Sequence, residues 1–217
     1  MFRISLYQKL LSYFYPVQVA KAATPQNEVL DLLYYCNRFQ LSTHDAMYSD
    51  GDKYRPLMIA FTHIGSALAD MKDVLVLGTG LGSAANILYN KGYKPQYTFV
   101  EYDSTILQWA MKVLPKEVSD KSNPIHMDAA VYIETCGKQY NLLITDIFNS
   151  RVVPAFVTTE KFLKQCRRCI MPGGYFVLNY IVLQNTDWQA AEQVIRSVFP
   201  NITVLQNGIN RIVVARV

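Results

Sequence analysis

Apolar positions change their period near Lys72. From there on, short, mainly apolar runs (74–77, all apolar, then 97–100, 124–127, 142–145 and 175–182) alternate with stretches whose apolar residues recur every three or four positions. Runs with few polar residues suit strands covered on both faces, and a three-to-four repeat suits amphipathic helices. The spacing predicts helices over 84–90, 104–114 (stopped by Pro115), 129–136, 159–170 (ended by Pro172-Gly173-Gly174) and 187–198. Repeated β-α units argue for a parallel sheet with helices on both faces. The rhythm breaks at the end, where β-branched runs at 202–205 and 209–217 flank Asn207-Gly208, a hairpin signal.

Before Lys72 the pattern is different. Residues 17–23 and 28–41 read as strands separated by the turn residues Thr24-Pro25-Gln26-Asn27. Positions 6, 7, 10, 11 and 14 fit a helical stripe, while Phe2, Ile4 and Leu6 alternate as in a strand, and both readings stay open. The expected organisation is a small β-rich N-terminal region over 1–55 and a Rossmann-like domain over 56–217.

Composition narrows the class. Of the 217 residues, 51% are hydrophobic and 18% charged, against about 25% charged in an ordinary globular domain. That balance excludes disorder, collagen and coiled coil. No apolar run approaches the ~18 residues of a membrane span. Arg3, Gln8 and Lys9 interrupt the N-terminus, so no signal-peptide core is present. The expectation is a soluble, cytoplasmic protein with no membrane partner. The net charge of +4 contains no block of one sign. Lys161, Lys164, Arg167 and Arg168 fit one solvated helix face, so nucleic acid is not expected as a partner. Cys166 and Cys169 form a CxxC without the second pair or histidines of a zinc site. They read as reduced packing thiols, one toward the core and one exposed, with no metal.

The chemistry-bearing residues stand at the ends of the predicted strands. Gly78-Thr79-Gly80-Leu81-Gly82 follows the first apolar run; glycines there permit a sharp turn and close approach of a ligand, and the next helix presents free N–H groups. Position 83 is Ser, so the loop departs from the GxGxxG dinucleotide fingerprint. Glu101 ends the second run about 20 residues on, the spacing of a ribose-binding acid, whereas Asp103 suits a helix N-cap. Asp128 opens the helix after the third run, either as a cap or as an acceptor for an adenine amino group, and Asp146 ends the fourth. Ligands of open α/β sheets bind at the carboxyl ends of the strands, so the joint pattern points to an adenosine-containing ligand.

Two resemblances follow. An α/β sheet that finishes in an antiparallel hairpin resembles the seven-stranded, mostly parallel sheet of the class I S-adenosylmethionine-dependent methyltransferases. The block DIFNSRVVPAFVTTEKFLKQCRRCIMPGGYFVLN resembles the polyamine aminopropyltransferases, especially the spermidine synthase-like branch. VEYD, MDAA and NRFQLSTHDAMYSDGDKY fit the same family in order, over roughly residues 17–198. The resemblance implies a transferase that moves an aminopropyl group from decarboxylated S-adenosylmethionine to an amine. It assigns the ribose hydroxyls to Glu101, the adenine to Asp128 and a nucleoside contact to Gln40. The loop glycines Gly78, Gly80 and Gly82 belong to the same cosubstrate site. Asp146 would help deprotonate the attacking amine, and Tyr48 and Asn149 would line the amine pocket. A homodimer is compatible with this reading.

The departures are specific. Leu81 stands where the family carries an aspartate for the cosubstrate's amine, and Asn149 where it carries one for the diamine. Val76 replaces the acid with which many methyltransferases hold the methionine amine. Methyl transfer from S-adenosylmethionine and binding of an adenosyl compound without turnover therefore remain as alternatives. Whether Asp50 and Asp52 supply the missing carboxylates is left open at this level.

Overall fold

A computed structural model describes residues 2–44 and 46–217 and contains two sheets. The smaller is antiparallel, in the order β1 (Val17–Ala22), β2 (Leu30–Tyr35), β3 (Arg38–Ser42), β4 (Met47–Ser49). The single strand expected over 28–41 is in fact a hairpin. Cys36 and Asn37 both have positive φ (47° and 63°), the geometry of a two-residue turn that matches strand twist. No glycine marks it, which is why the sequence reads straight through. Ser5 and Gln8 form a capping box that opens α1 (Leu6–Leu11), so the N-terminal ambiguity resolves as a helix. None of its residues is buried.

The larger sheet is built from β5 (Asp73–Leu77), α3 (Ser83–Asn90), β6 (Gln96–Glu101), α4 (Ser104–Val113), α5 (Lys116–Ser119), β7 (Ser122–His126), α6 (Ala129–Thr135), β8 (Tyr140–Thr145), α7 (Glu160–Arg168), β9 (Ile170–Ile181), α8 (Asn185–Val198), β10 (Ile202–Asn207) and β11 (Asn210–Arg216). Its order is β10-β11-β9-β8-β5-β6-β7. Only β11 runs against the others, pairing antiparallel with both β9 and β10. The seven-stranded, mostly parallel sheet with an antiparallel last strand is therefore the fold. Along β5, Val74 and Val76 join the core beneath α2 (Arg55–Ile64) and α3, while Leu75 and Leu77 join the one beneath α6, α7 and α8. Both faces are covered, hence the mainly apolar runs.

Four local expectations are corrected. Helix α2 is absent from the sequence reading; it starts at a proline in its first turn and buries Leu57, Ala60, Phe61 and Ile64, one face at helical spacing. Pro172-Gly173-Gly174 does not terminate a helix but lies within β9. The partner of Tyr140 is Ile170 and that of Leu142 is Tyr175, so these residues form a wide bulge. The last hairpin turns on Gly208-Ile209, since Asn207 already pairs with Asn210. Cys166 and Cys169 are both buried, against the expectation that one faces solvent. Lys161 and Lys164 pair with Glu134 and Glu160, as a solvated helix face would. Among the described residues no helix is long and apolar enough to cross a membrane, and no cluster of His, Cys, Asp or Glu is disposed to hold a metal ion.

Leu30, Leu32 and Leu41 of the small sheet pack with Leu81, Ile106 and Trp109 of the large one. This shared apolar patch fixes the 24–27 turn over the carboxyl ends of the parallel strands. That is where β5 leads to β6 on one side and neighbours β8 on the other, the switch point at which such sheets bind ligands.

Candidate active site

A cavity of about 550 Å³ opens at this switch point. Gly78, Gly80, Glu101, Asp128, Asp146, Tyr48 and Asn149, all singled out in the sequence, line it. Gln40 and Gly82 do not. Gln40 is buried on β3 and donates to Asp50 Oδ1 at 2.7 Å. A Cβ on Gly82 would come within 2.8 Å of Leu114 Cδ2, so that glycine permits α3 to pack close to the end of α4. Gly78 has φ +83°, and a Cβ there would collide with the carbonyl oxygen of Asp146. Glycine at 78 thus lets the loop after β5 approach the end of β8.

The acids at the glycine-loop end are oriented largely by backbone amides. Glu101 Oε2 accepts from the amides of Thr79 (2.9 Å) and Gly80 (3.3 Å), and Oε1 from those of Tyr102 (2.9 Å) and Asp103 (3.1 Å). Desolvation raises its pKa while these four donors pull it down, and desolvation prevails. Asp103 caps α4 through Oδ1, as its position suggested, and its Oδ2 accepts from Thr24 Oγ1 and Asn27 Nδ2. It is thereby the pin between the N-terminal turn and the large sheet. Asp128 is indeed a cap: Oδ1 accepts from the amides of Ala130 (2.8 Å) and Val131 (3.2 Å). It also lines the cavity, and its Oδ2 has no partner among the described residues.

Asp146, at the other end, is held differently. Its Oδ1 accepts from Asn179 Nδ2 (2.9 Å) and from the Tyr54 hydroxyl (3.2 Å), while Oδ2 has no partner among the described residues. Desolvation pushes its pKa up to about 6, against the lowering effect of these two bonds. Burial and the neighbouring Asp146 charge also hold the Tyr54 hydroxyl well above its ordinary value, so it stays protonated. Asn179 is fully buried on β9, and its Oδ1 accepts from Asn210 Nδ2 at 2.8 Å, which fixes the amide with its NH₂ toward Asp146. Sequence reasoning missed Tyr54, Asn179 and Asn210. A usable signal existed for Asn179: a polar residue in the middle of an all-apolar strand must find a hydrogen-bond partner.

The N-terminal region contributes through Pro25, Gln26 and Asn27 and through Tyr48, whose hydroxyl donates to Asn27 Oδ1 (3.2 Å) and accepts from the Ser150 amide (2.7 Å). Leu81 is buried in the patch between the sheets and faces away from the cavity. Asp50 is paired with Arg38 and Gln40, and Asp52 with Lys53 and Asn90; neither lines the cavity. The wall therefore carries Glu101, Asp103, Asp128 and Asp146 and, among the described residues, no lysine, arginine or histidine.

A doubly wound sheet closed by an antiparallel hairpin is the fold of the class I S-adenosylmethionine-dependent methyltransferases. More narrowly, the chain belongs to the spermine/spermidine synthase family, whose domain model matches residues 58–210. It is 26% identical over 170 residues to a polyamine aminopropyltransferase of Vibrio vulnificus, covering 72% of this chain and 56% of that protein. It is also 26% identical over 132 residues to polyamine aminopropyltransferase 2 of Hyperthermus butylicus, covering 53% and 43% respectively. The chain spans about half the length of the curated relatives it matches. Among solved structures it resembles a probable spermidine synthase of Corynebacterium glutamicum (TM-score 0.75, 17% identity, 93% of this chain and 81% of that one). It also resembles human methyltransferase-like protein 13 in complex with SAH (TM-score 0.63, 22% identity, 76% and 81%). Those likenesses carry the fold.

Proposed function

We propose that the site transfers an aminopropyl group from decarboxylated S-adenosylmethionine to an amine. The carrying observation is an acidic cavity in which, among the described residues, no cation faces the acids and Asp146 keeps an uncommitted oxygen and a pKa of about 6. Such a wall favours cationic ligands. Sulfonium donor and ammonium acceptor both fit it, which is the match expected of the cosubstrate.

The cosubstrate supplies an electrophilic carbon next to a positively charged sulfur. The protein does the rest. In this reading the backbone-held Glu101 carboxylate faces the ribose hydroxyls, the free oxygen of Asp128 accepts from the adenine amino group, and the loop of Gly78 and Gly80 lets the nucleoside approach the main chain. Asp146 is ionised above about pH 6 and is the base for the incoming ammonium. The acceptor nitrogen, freed of one proton to Asp146, forms the new C–N bond, and the electron pair of the broken C–S bond leaves with methylthioadenosine. Tyr54 and Asn179 hold Oδ1, so the free Oδ2 is the oxygen that takes the proton.

The test is release of methylthioadenosine by the purified chain from decarboxylated S-adenosylmethionine with a panel of primary amines. Turnover that is abolished in Asp146→Asn supports the reading. Formation of S-adenosylhomocysteine from intact S-adenosylmethionine, with no methylthioadenosine from any amine, overturns it.

A further inference from the structure

We infer that the apolar stripe of the α1 segment is a docking surface for an anionic lipid membrane; the inference stands apart from the transfer reading above. Helix α1 is amphipathic but docked by its polar side. Ser12, which closes it, is fully buried. Its carbonyl accepts from the Cys36 amide at 2.8 Å, and its Oγ donates to the Lys9 carbonyl at 2.8 Å and accepts from the Asn37 amide at 3.4 Å. The stripe lies roughly 180° around the helix from Ser12 and therefore faces outward. Leu6, Tyr7, Leu10 and Phe14 are between 67% and 83% exposed. Amide bonds from Phe14 and Tyr15 to the Leu11 carbonyl (2.9 and 3.2 Å) carry the turn onward, so that Tyr13 and Tyr15, at least half exposed, adjoin it. An aromatic side chain carries roughly 150–250 Å², so these residues leave on the order of 600 Å² of mainly apolar surface in water, the upper end for an ordinary monomer.

Charge and residue type decide what covers the stripe. From residue 2 to residue 27 the charged residues are Arg3, Lys9 and Lys21, all cations. Lys21 stands opposite Asp31 across β1 and β2, whereas Arg3 and Lys9 are exposed on the segment that carries the stripe. Lys112 of α4 reaches over the Phe2 ring at 5.8 Å and adds a third cation there. A two-fold contact through this face would set these cations against their own copies. An anionic headgroup layer is complementary to them. Leucine and phenylalanine enter the acyl boundary, and tyrosines keep ring and hydroxyl at headgroup level, as in helices that lie on a membrane surface. The expectation of no membrane partner rested on the lack of a spanning segment, and contact of this kind needs none.

The experiment is flotation of the full chain with vesicles of phosphatidylcholine, alone or mixed with phosphatidylglycerol, at low and at high salt. The wild type should float with the mixed vesicles at low salt, and less at high salt or without the anionic lipid. Arg3→Gln and Lys9→Gln should each weaken binding roughly fivefold. Leu10→Gln combined with Phe14→Gln should weaken it roughly tenfold to hundredfold, with the melting temperature unchanged because both side chains already face water. Phe14→Trp keeps the apolar bulk; its emission should shift to the blue on mixed vesicles and be quenched by brominated acyl chains, while Trp109 and Trp188 stay buried. No flotation of the wild type, flotation indifferent to lipid charge or to the double variant, or emission that brominated lipid leaves unquenched would overturn the inference. A dimer in sedimentation velocity that dissociates in the double variant, without vesicle binding, would assign the stripe to a second copy and overturn it too.

Discussion

The two ends of the cavity use carboxylates in opposite ways. At the glycine-loop end Glu101 receives four backbone amides, which offset part of its desolvation, and Asp103 two amides and two side chains, so each side chain is fixed. At the β8 end Asp146 receives, among the described residues, two side-chain donors on one oxygen and none on the other, and its pKa rises to about 6. Amide donors are part of the main chain and cannot be withdrawn without unfolding the loop, which suits recognition of a rigid nucleoside. An under-compensated carboxylate takes up a proton easily, which suits a base. Glu101 and Asp146 are both desolvated; the number of hydrogen-bond donors, not solvation or residue type, distinguishes the two.

The largest expected effect comes from removing the under-compensated charge. Asp146→Asn keeps the acceptor for Tyr54 and Asn179 but cannot take a proton, and should lower the transfer rate roughly 10²–10⁴-fold. The same change should stabilise the fold at pH 8. Because the folded pKa (about 6) exceeds the ordinary 3.8, the native state binds the proton more tightly than the unfolded chain. This carboxyl therefore contributes most below about pH 3.8, and the contribution is lost as pH rises through 6. Thermal melts at pH 8 should show the variant more stable by an amount on the order of 2 kcal/mol, narrowing toward pH 4. A rate that survives the substitution would remove Asp146 from the chemistry.

Breaking the other end should act on binding instead. Glu101→Gln leaves a neutral amide whose NH₂ faces amide donors of the 79–80 loop or of residues 102–103. Methylthioadenosine affinity should fall roughly tenfold to hundredfold by calorimetry. The acid limb of the pH–rate profile should keep its midpoint, because Asp146 is untouched. A displaced limb would mean that the two ends are not independent.

What the sequence made legible follows the same division. The glycine loop, Glu101, Asp103 and Asp128 act on backbone within a few residues of a strand end, so spacing along the chain reveals them. Asp146 is visible because it terminates an apolar run. Its supports are not: Tyr54 lies 92 residues away and Asn179 33 away, and no local pattern encodes a side-chain contact at that range. Gln40 shows the converse, since resemblance placed it at the nucleoside, while the adjacent Arg38 and nearby Asp50 draw it into an ion-pair network away from the cavity wall. The fold beyond Lys72 was readable from its two periods. The Cys36-Asn37 turn and α2 were not, because the first lacks glycine and the second begins on a proline that reads as a break.

A subtler probe of the β8 end is Asn179→Leu, of similar volume without the donors. Asn179 lowers the Asp146 pKa, so its loss should move the acid limb of kcat/KM to higher pH. Activity at pH 9 should be reduced less than activity at pH 6. Asn210→Ala, which frees the Asn179 amide to turn, should shift the limb in the same direction by less. Loss of activity uniform across pH would mark Asn179 as a packing residue only.

The smallest effect separates the two roles of Asp128. Asparagine caps helices about as well as aspartate, so Asp128→Asn should leave the melting temperature nearly unchanged. Its carbonyl oxygen remains on the amides of Ala130 and Val131, and the other position then presents an NH₂ to the cavity where Oδ2 stood. Facing an adenine amino group, that NH₂ replaces an acceptor with a donor, and methylthioadenosine should bind about five- to tenfold more weakly, equivalent to roughly 1 kcal/mol. Inosine-type analogues, whose ring carries a carbonyl in place of the amino group, should lose nothing or gain, because a donor now meets an acceptor. Equal affinity of wild type and variant for the adenosine compound would reduce Asp128 to a helix cap that happens to line the wall.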